Sequence, residues 1–282
     1  MKDIGVLTIH GIGNDNDKFD DPFREKLEGH LKADFNRLAI RRAHWSPEVS
    51  GEQTDVWKRI EKGPGASLRW DFARKFFMNY FADSLAYQRY GYKREPDSTY
   101  ERIQDVVHRE LRSLREELGG DKPLVVLAYS LGGYITTSYT WDRQHWKEPV
   151  PDPRGDSAFT RMETLAGLVT FGCNLPFFAF GAKPRLTIDF PGKALAGSYP
   201  ATAAAARWQN YYDADDVLGW PIHEVYEGPA ATIACIDDYP INVGIPIIQS
   251  GTPLSHIGYW KDQSFVKPVA EYLRTLLGTV AP

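Results

Sequence analysis

Short apolar runs alternate along this chain with longer segments of helical period, and that alternation limits the fold more than any other feature of the sequence. IGVLTI (Ile4 to Ile9) and PLVVLA, which ends at Ala128, are apolar at nearly every position. A strand of that kind has to be covered on both faces, as in a parallel sheet with crossover helices above and below it. LAIRRAHW (Leu38 to Trp45), LAGLVTFG (Leu165 to Gly172), RWQNYY (Arg207 to Tyr212) and ATIACI (Ala231 to Ile236) are further strand candidates. Between them, DDPFREKLEGHLKADF reads as a helix with Asp21 as its cap and Pro22 in the first turn, where a missing N–H is harmless. DSTYERIQDVVHRELRSLREELGG opens with Ser98 and Glu101 at capping-box spacing and stops at Gly119 and Gly120. A helix follows Ser130, and a last one is expected from about Lys261 to Leu277. The expected fold is α/β, a mostly parallel sheet with helices on both faces, in a single domain over residues 1–282.

Two stretches interrupt the alternation. Residues 52–96 are helix-like and rich in aromatics, with nine of them from Trp70 to Tyr92, and residues 174–206 are long and irregular. Long connections in compact domains serve as lids or binding loops, so the first is expected to be a lid or cap inserted at about 52–96. On a helix, Phe72, Phe76, Phe77, Tyr80 and Phe81 would cover a wider face than one core contact needs. Such a face either packs on both sides within the domain or meets an acyl chain or a lipid surface.

Composition excludes several classes. The 37 acidic and 33 basic residues leave a net charge of -4, which gives no electrostatic case for nucleic acid. Cys173 and Cys235 form no CxxC pair and no zinc-ligand spacing, so neither a disulfide scaffold nor a structural metal is expected. The acidic stretch from Asn14 to Asp21 lacks the glycine and the final glutamate of a calcium loop. No apolar run reaches the roughly 18 residues of a membrane span, and MKDIGVLTIHGIG lacks the basic and apolar regions of a secretory signal. The expected location is cytoplasmic.

The chemistry concentrates at AYSLG, residues 128 to 132, between PLVVLA and the following helix. A serine hydroxyl is a weak nucleophile, so it needs a base within hydrogen-bond reach, an acid to orient that base, and amide donors for the oxyanion. A nucleophile on a sharp strand-to-helix corner also needs small neighbours, and Ala128 and Gly132 provide them. Acids and bases are available downstream: Asp213, Asp215 and Asp216 in YYDADDVLGWP, and His256 in the glycine- and proline-containing loop GTPLSHIGYW.

With these motifs the chain resembles the α/β-hydrolase superfamily, and more narrowly its lipase and esterase members, some of which also carry alanine at the first small position of the corner. The resemblance covers nearly the whole chain in element order but only short stretches in motif. It implies an α/β-hydrolase fold that lacks the leading strands, with the aromatic-rich helical insertion added. It also implies the triad order Ser, Asp, His, each after a successive strand, which gives Ser130 as nucleophile and His256, before the final helix, as base. Lipases show the acid followed by two apolar residues and a nearby proline; DVLGWP fits that pattern best, so Asp216 is preferred over Asp213 and Asp215. The oxyanion donors implied are the amides of Leu131, after the nucleophile, and Ile12, after the HG pair at His10 and Gly11.

The function expected is that of a serine hydrolase cleaving a carboxylic ester through an acyl-enzyme, with no cofactor. Its partner would be a small ester with an apolar acyl part, with lipid-surface contact through residues 70–92. The same triad serves thioesterases and acyltransferases, and the same scaffold could hold an apolar ligand without catalysis.

Overall fold

The computed structural model describes residues 2–12, 16–49, 59, 87, 97–147, 151–179, 184–244 and 256–280. Six strands form one parallel sheet: β1 (Ile4–Ile9), β2 (Leu38–Ala43), β3 (Leu124–Tyr129), β4 (Leu165–Phe171), β5 (Arg207–Asp213) and β6 (Ile236–Ile241), in the spatial order β2-β1-β3-β4-β5-β6. The long helices are α1 (Asp21–Leu31), α2 (Thr99–Leu118), α3 (Leu131–Gln144) and α4 (Gln263–Thr279).

The period-two alternation of β3 divides the core. Leu124, Val126 and Ala128 pack with Leu111 and Leu114 of α2 and Ile135 of α3 on one face. Val125, Leu127 and Tyr129 pack on the other with Phe23 and Leu27 of α1 and with Phe265, Val269 and Leu273 of α4. Helices therefore cover both faces, which is why an all-apolar strand is stable there.

The chain turns back across the sheet at β1, which pairs with β2 on one side and β3 on the other. Crevices at such a reversal, beyond the carboxyl ends of the strands, are where open α/β sheets hold ligands. Ile9 lies opposite Ala128 in the register, so the segments leaving β1 and β3 emerge side by side.

Local signals set most boundaries. Ser98 accepts the Glu101 amide at the start of α2, and Gly119, at φ 74°, ends it. The Glu101 side chain does not close the expected capping box; it binds the buried Arg154 guanidinium at 2.7 Å.

Two expectations are corrected. ATIACI is not a strand: Ala230–Ile233 is a short helix, and β6 begins only at Ile236 with the sequence IDDYPI. As the edge strand of the described sheet, paired among the described residues only to β5, β6 tolerates polar residues and Pro240, so its apolar signal is weak. At α1 the cap position is held by Asp20, not Asp21, and without a side-chain capping bond.

Asp20 is turned inward instead. Fully buried, it accepts from the Thr8 hydroxyl at 2.7 Å, from Arg24 Nε at 2.9 Å and from Arg42 Nε, tying the segment before α1 to β1 and β2. Among the described residues no helix is long and apolar enough to cross a membrane. The inserted segment expected at 52–96 lies outside the described residues apart from Arg59 and Tyr87; Tyr87 is buried with its ring 4.8 Å from that of Tyr100 and its hydroxyl on the Ile135 carbonyl.

Removing the fully buried Asp20 carboxylate takes the shared acceptor from the Thr8 hydroxyl and from part-exposed Arg24, while Arg42 keeps Asp21. Asp20→Ala is therefore expected to lower the unfolding free energy by about 3 kcal/mol, read from the urea midpoint at constant slope.

Candidate active site

The corner after β3 is built by steric necessity. Ser130 has φ 53° and ψ −123°, a conformation that L residues rarely adopt and that costs about 1–3 kcal/mol. Its N–H donates to the Phe171 carbonyl at 3.0 Å, and its own carbonyl receives the Gly133 N–H at 3.0 Å as α3 begins. A Cβ on Gly132 would lie 2.8 Å from the His10 carbonyl oxygen, and one on Gly11 would lie 2.6 Å from the Ser130 Cβ. The backbones after β1 and β3 thus touch because both positions lack side chains.

Three side chains predicted from the sequence meet at this corner. Ser130 Oγ lies 3.0 Å from His256 Nε2. On the other edge of the imidazole, Nδ1 lies 2.9 Å from Asp216 Oδ2 and 3.0 Å from Oδ1. A carboxylate partner assigns the proton to Nδ1, which leaves Nε2 as acceptor for the serine hydroxyl. All three residues are buried, at 2–3% exposure, so each contact operates away from bulk water.

The three aspartates of the loop after β5 differ in their surroundings. Asp213 accepts from the Asp215 amide at 2.7 Å and from the Val243 amide, which secures the loop after β5, and Asp215 is exposed. Asp216 instead faces His256, and it also accepts from the Leu218 amide at 3.0 Å and the Tyr259 hydroxyl at 2.9 Å. The remaining histidines have other surroundings: His30 meets Gln263, His108 meets Tyr139, His145 meets the Trp141 carbonyl and His223 meets Glu224.

Three supporting residues escaped sequence reasoning. The Tyr259 hydroxyl receives the Asp213 N–H at 2.9 Å and donates to Asp216, while burial, then the Asp216 charge, raise its pKa and keep it protonated. It fits because Gly172 and Gly219 are bare: a Cβ on either would come within 3.0 to 3.1 Å of Tyr259. The Tyr129 hydroxyl donates to the His256 carbonyl, and the two rings lie 5.0 Å apart. A tyrosine three residues after the histidine, in the turn His256–Lys261, is the one signal that HIGYW offered.

The third is His10. It accepts the Trp45 N–H at Nε2, at 3.1 Å, so Nδ1 carries the proton that reaches the Gly11 carbonyl at 2.6 Å. The Trp45 indole stacks on the imidazole at 4.8 Å and donates to the His10 carbonyl at 3.0 Å. In a trans peptide the N–H points opposite to the C=O, so fixing the Gly11 carbonyl on His10 turns the Ile12 N–H away from that ring. Leu131 is the first residue of α3, and its N–H has no intrahelical acceptor. Among the described residues no group of three or more His, Cys, Asp or Glu side chains is placed to hold a metal ion.

No protein-family model matches this chain, and no curated protein matches it. Among solved structures, an iodinated complex of acetyl xylan esterase aligns over 100% of both chains with a TM-score of 0.41 and 10% identity. That likeness is too distant to bear on the chemistry, which rests on the residues above.

Burial holds the pKa of His10 down from 6.5 to about 3. Because the folded value lies below the unfolded one, the neutral ring stabilises the fold fully above about pH 6.5, and that contribution falls as pH drops toward 3. The His10 ring resonances are expected not to titrate between pH 7 and about 4.5 in an NMR titration; an inflection near 6.5 would contradict a buried neutral ring.

Proposed function

We propose that the protein is a serine hydrolase that cleaves a carboxylic ester with an apolar acyl part through a covalent acyl-enzyme. One observation carries the reading: an unbroken chain from the Ser130 hydroxyl through both nitrogens of His256 to the Asp216 carboxylate, with links of 3.0 and 2.9 Å.

Each group has a defined task. As Ser130 Oγ forms a bond to the ester carbonyl carbon, its proton passes to His256 Nε2, and the carbonyl π pair becomes an oxyanion. Leu131 and Ile12 would donate their amides to that oxygen; losing one such donor typically costs about 3–4 kcal/mol. Collapse of the tetrahedral species breaks the ester C–O bond, and the leaving alcohol takes the proton from Nε2. Water then repeats the sequence, giving its proton to Nε2, and the acid leaves as Ser130 recovers its hydrogen. Asp216 stays ionised throughout and steadies the imidazolium.

Three supports strengthen the assignment. The strained corner places Oγ beyond the end of β3, at the sheet reversal. Helix α3 directs its unsatisfied N-terminal amides toward developing negative charge. Tyr259 holds Asp216 in place and is assigned as a positioning residue.

Two variants test this. Ser130→Ala is expected to lower turnover of a p-nitrophenyl ester by roughly 10⁴ to 10⁶ with an unchanged unfolding curve; near-normal turnover would refute the mechanism. Tyr259→Phe removes one hydrogen bond to a charged group, worth about 1.5–3 kcal/mol. Turnover is expected to fall about tenfold or more with KM little changed. Unchanged turnover with lowered stability would make Tyr259 structural only.

A further inference from the structure

A cavity of about 350 Å³ lies along α3, and no residue of the proposed triad or oxyanion pair lines it. Its wall on α3 runs from Tyr134, about one turn past Ser130, to Asp142, roughly 12 Å farther along the axis at 1.5 Å per residue. The other walls come from Tyr100 at the start of α2, the segment after β4, the start of β5 and Tyr226.

The lining is aromatic, with polar groups set into it. Tyr134 stacks on Phe178 at 3.8 Å, and the rings of Trp208 and Tyr226 lie 5.9 Å apart. The Thr187 hydroxyl is buried, with the residue 6% exposed, and has no hydrogen-bond partner among the described residues. Arg185 spends its carbonyl on the Glu227 amide, while its guanidinium, among the described residues, makes no ion pair or hydrogen bond. The opposing charge, Asp142, already receives the Tyr100 hydroxyl at 3.0 Å.

A buried hydroxyl without a partner is costly, by the full desolvation of the group. A pocket that keeps one, beside an uncommitted guanidinium and apolar walls, has the composition of a small-molecule site: a mostly apolar concavity with a few convergent polar groups. From this we infer that the cavity is a second ligand site, separate from Ser130, for an amphipathic carboxylate. The carboxylate would pair with Arg185 and accept from Thr187, and the hydrocarbon or aryl body would lie among Trp141, Phe178, Trp208 and Tyr226. Two carboxylate oxygens match one planar guanidinium and one hydroxyl. This inference does not rest on the hydrolase reading, because none of its groups belongs to the triad.

The test is isothermal titration of the full chain with sodium octanoate, using octan-1-ol as the uncharged control. One-site binding is expected in the wild type and in Ser130→Ala. Arg185→Gln should weaken octanoate by about tenfold, the loss of one charge-assisted bond, and leave octan-1-ol unchanged. Thr187→Val should weaken octanoate severalfold while raising the thermal midpoint of the free protein, since it removes an unsatisfied hydroxyl. No binding at millimolar octanoate would overturn the inference. So would binding that ignores both Arg185→Gln and Thr187→Val, which would place the ligand elsewhere. Loss of turnover in Ser130→Ala reads the hydrolase proposal separately, so the two can fail independently.

Discussion

The backbone of Ser130, held at positive φ against Gly11, is the constraint on which the rest of the site depends. A relaxed serine at that position would continue β3 or enter α3 with its hydroxyl along the helix. The strained corner instead lifts Oγ beyond the strand end, and it persists because packing fixes the chain on both sides. Ala128 is fully buried before it, and Gly132 sits so near the His10 and Ile9 carbonyls that a methyl group there would overlap both. The strain of about 1–3 kcal/mol is small beside the burial of the six apolar residues of β3, so the fold can hold it.

Around the corner, His256, Asp216 and His10 are each held by more than one partner. His256 is gripped through both ring nitrogens and through its carbonyl, the last by Tyr129. Asp216 receives the imidazole, a phenol and an amide. His10, on the opposite side, is neutral, stacked on Trp45 and bonded at both nitrogens, which fixes the loop after β1 without placing a charge beside Ser130. A site braced in this way loses little energy to reorganisation when charge develops. In the α3 cavity, by contrast, the Thr187 hydroxyl and the Arg185 guanidinium have no partner among the described residues.

Much of this was legible in the sequence because it is local. The apolar runs, the capped start of α2, the glycine that ends it, and the small residues flanking Ser130 are each determined by near neighbours. The grouping of Ser130, Asp216 and His256 came from the resemblance to lipases and esterases; here they follow β3, β5 and β6. What escaped were features set by contacts distant in sequence. Nothing local in the sequence marks Asp20 as the acceptor that Arg42 and Thr8 share. Edge strand β6 hides behind two aspartates and a proline, while the more apolar run before it is partly helical. Only the packed structure turns the hydroxyls of Tyr129 and Tyr259 toward His256 and Asp216. The expected cover at 52–96 lies outside the described residues apart from Arg59 and Tyr87.

The most direct test of the central claim is to treat the intact protein with a fluorophosphonate, digest it and map the adduct by mass spectrometry. An activated hydroxyl should become modified stoichiometrically on the peptide carrying Ser130, and His256→Ala should all but abolish the labelling. A protein that stays unmodified, or that carries its adduct on another residue, would contradict the account.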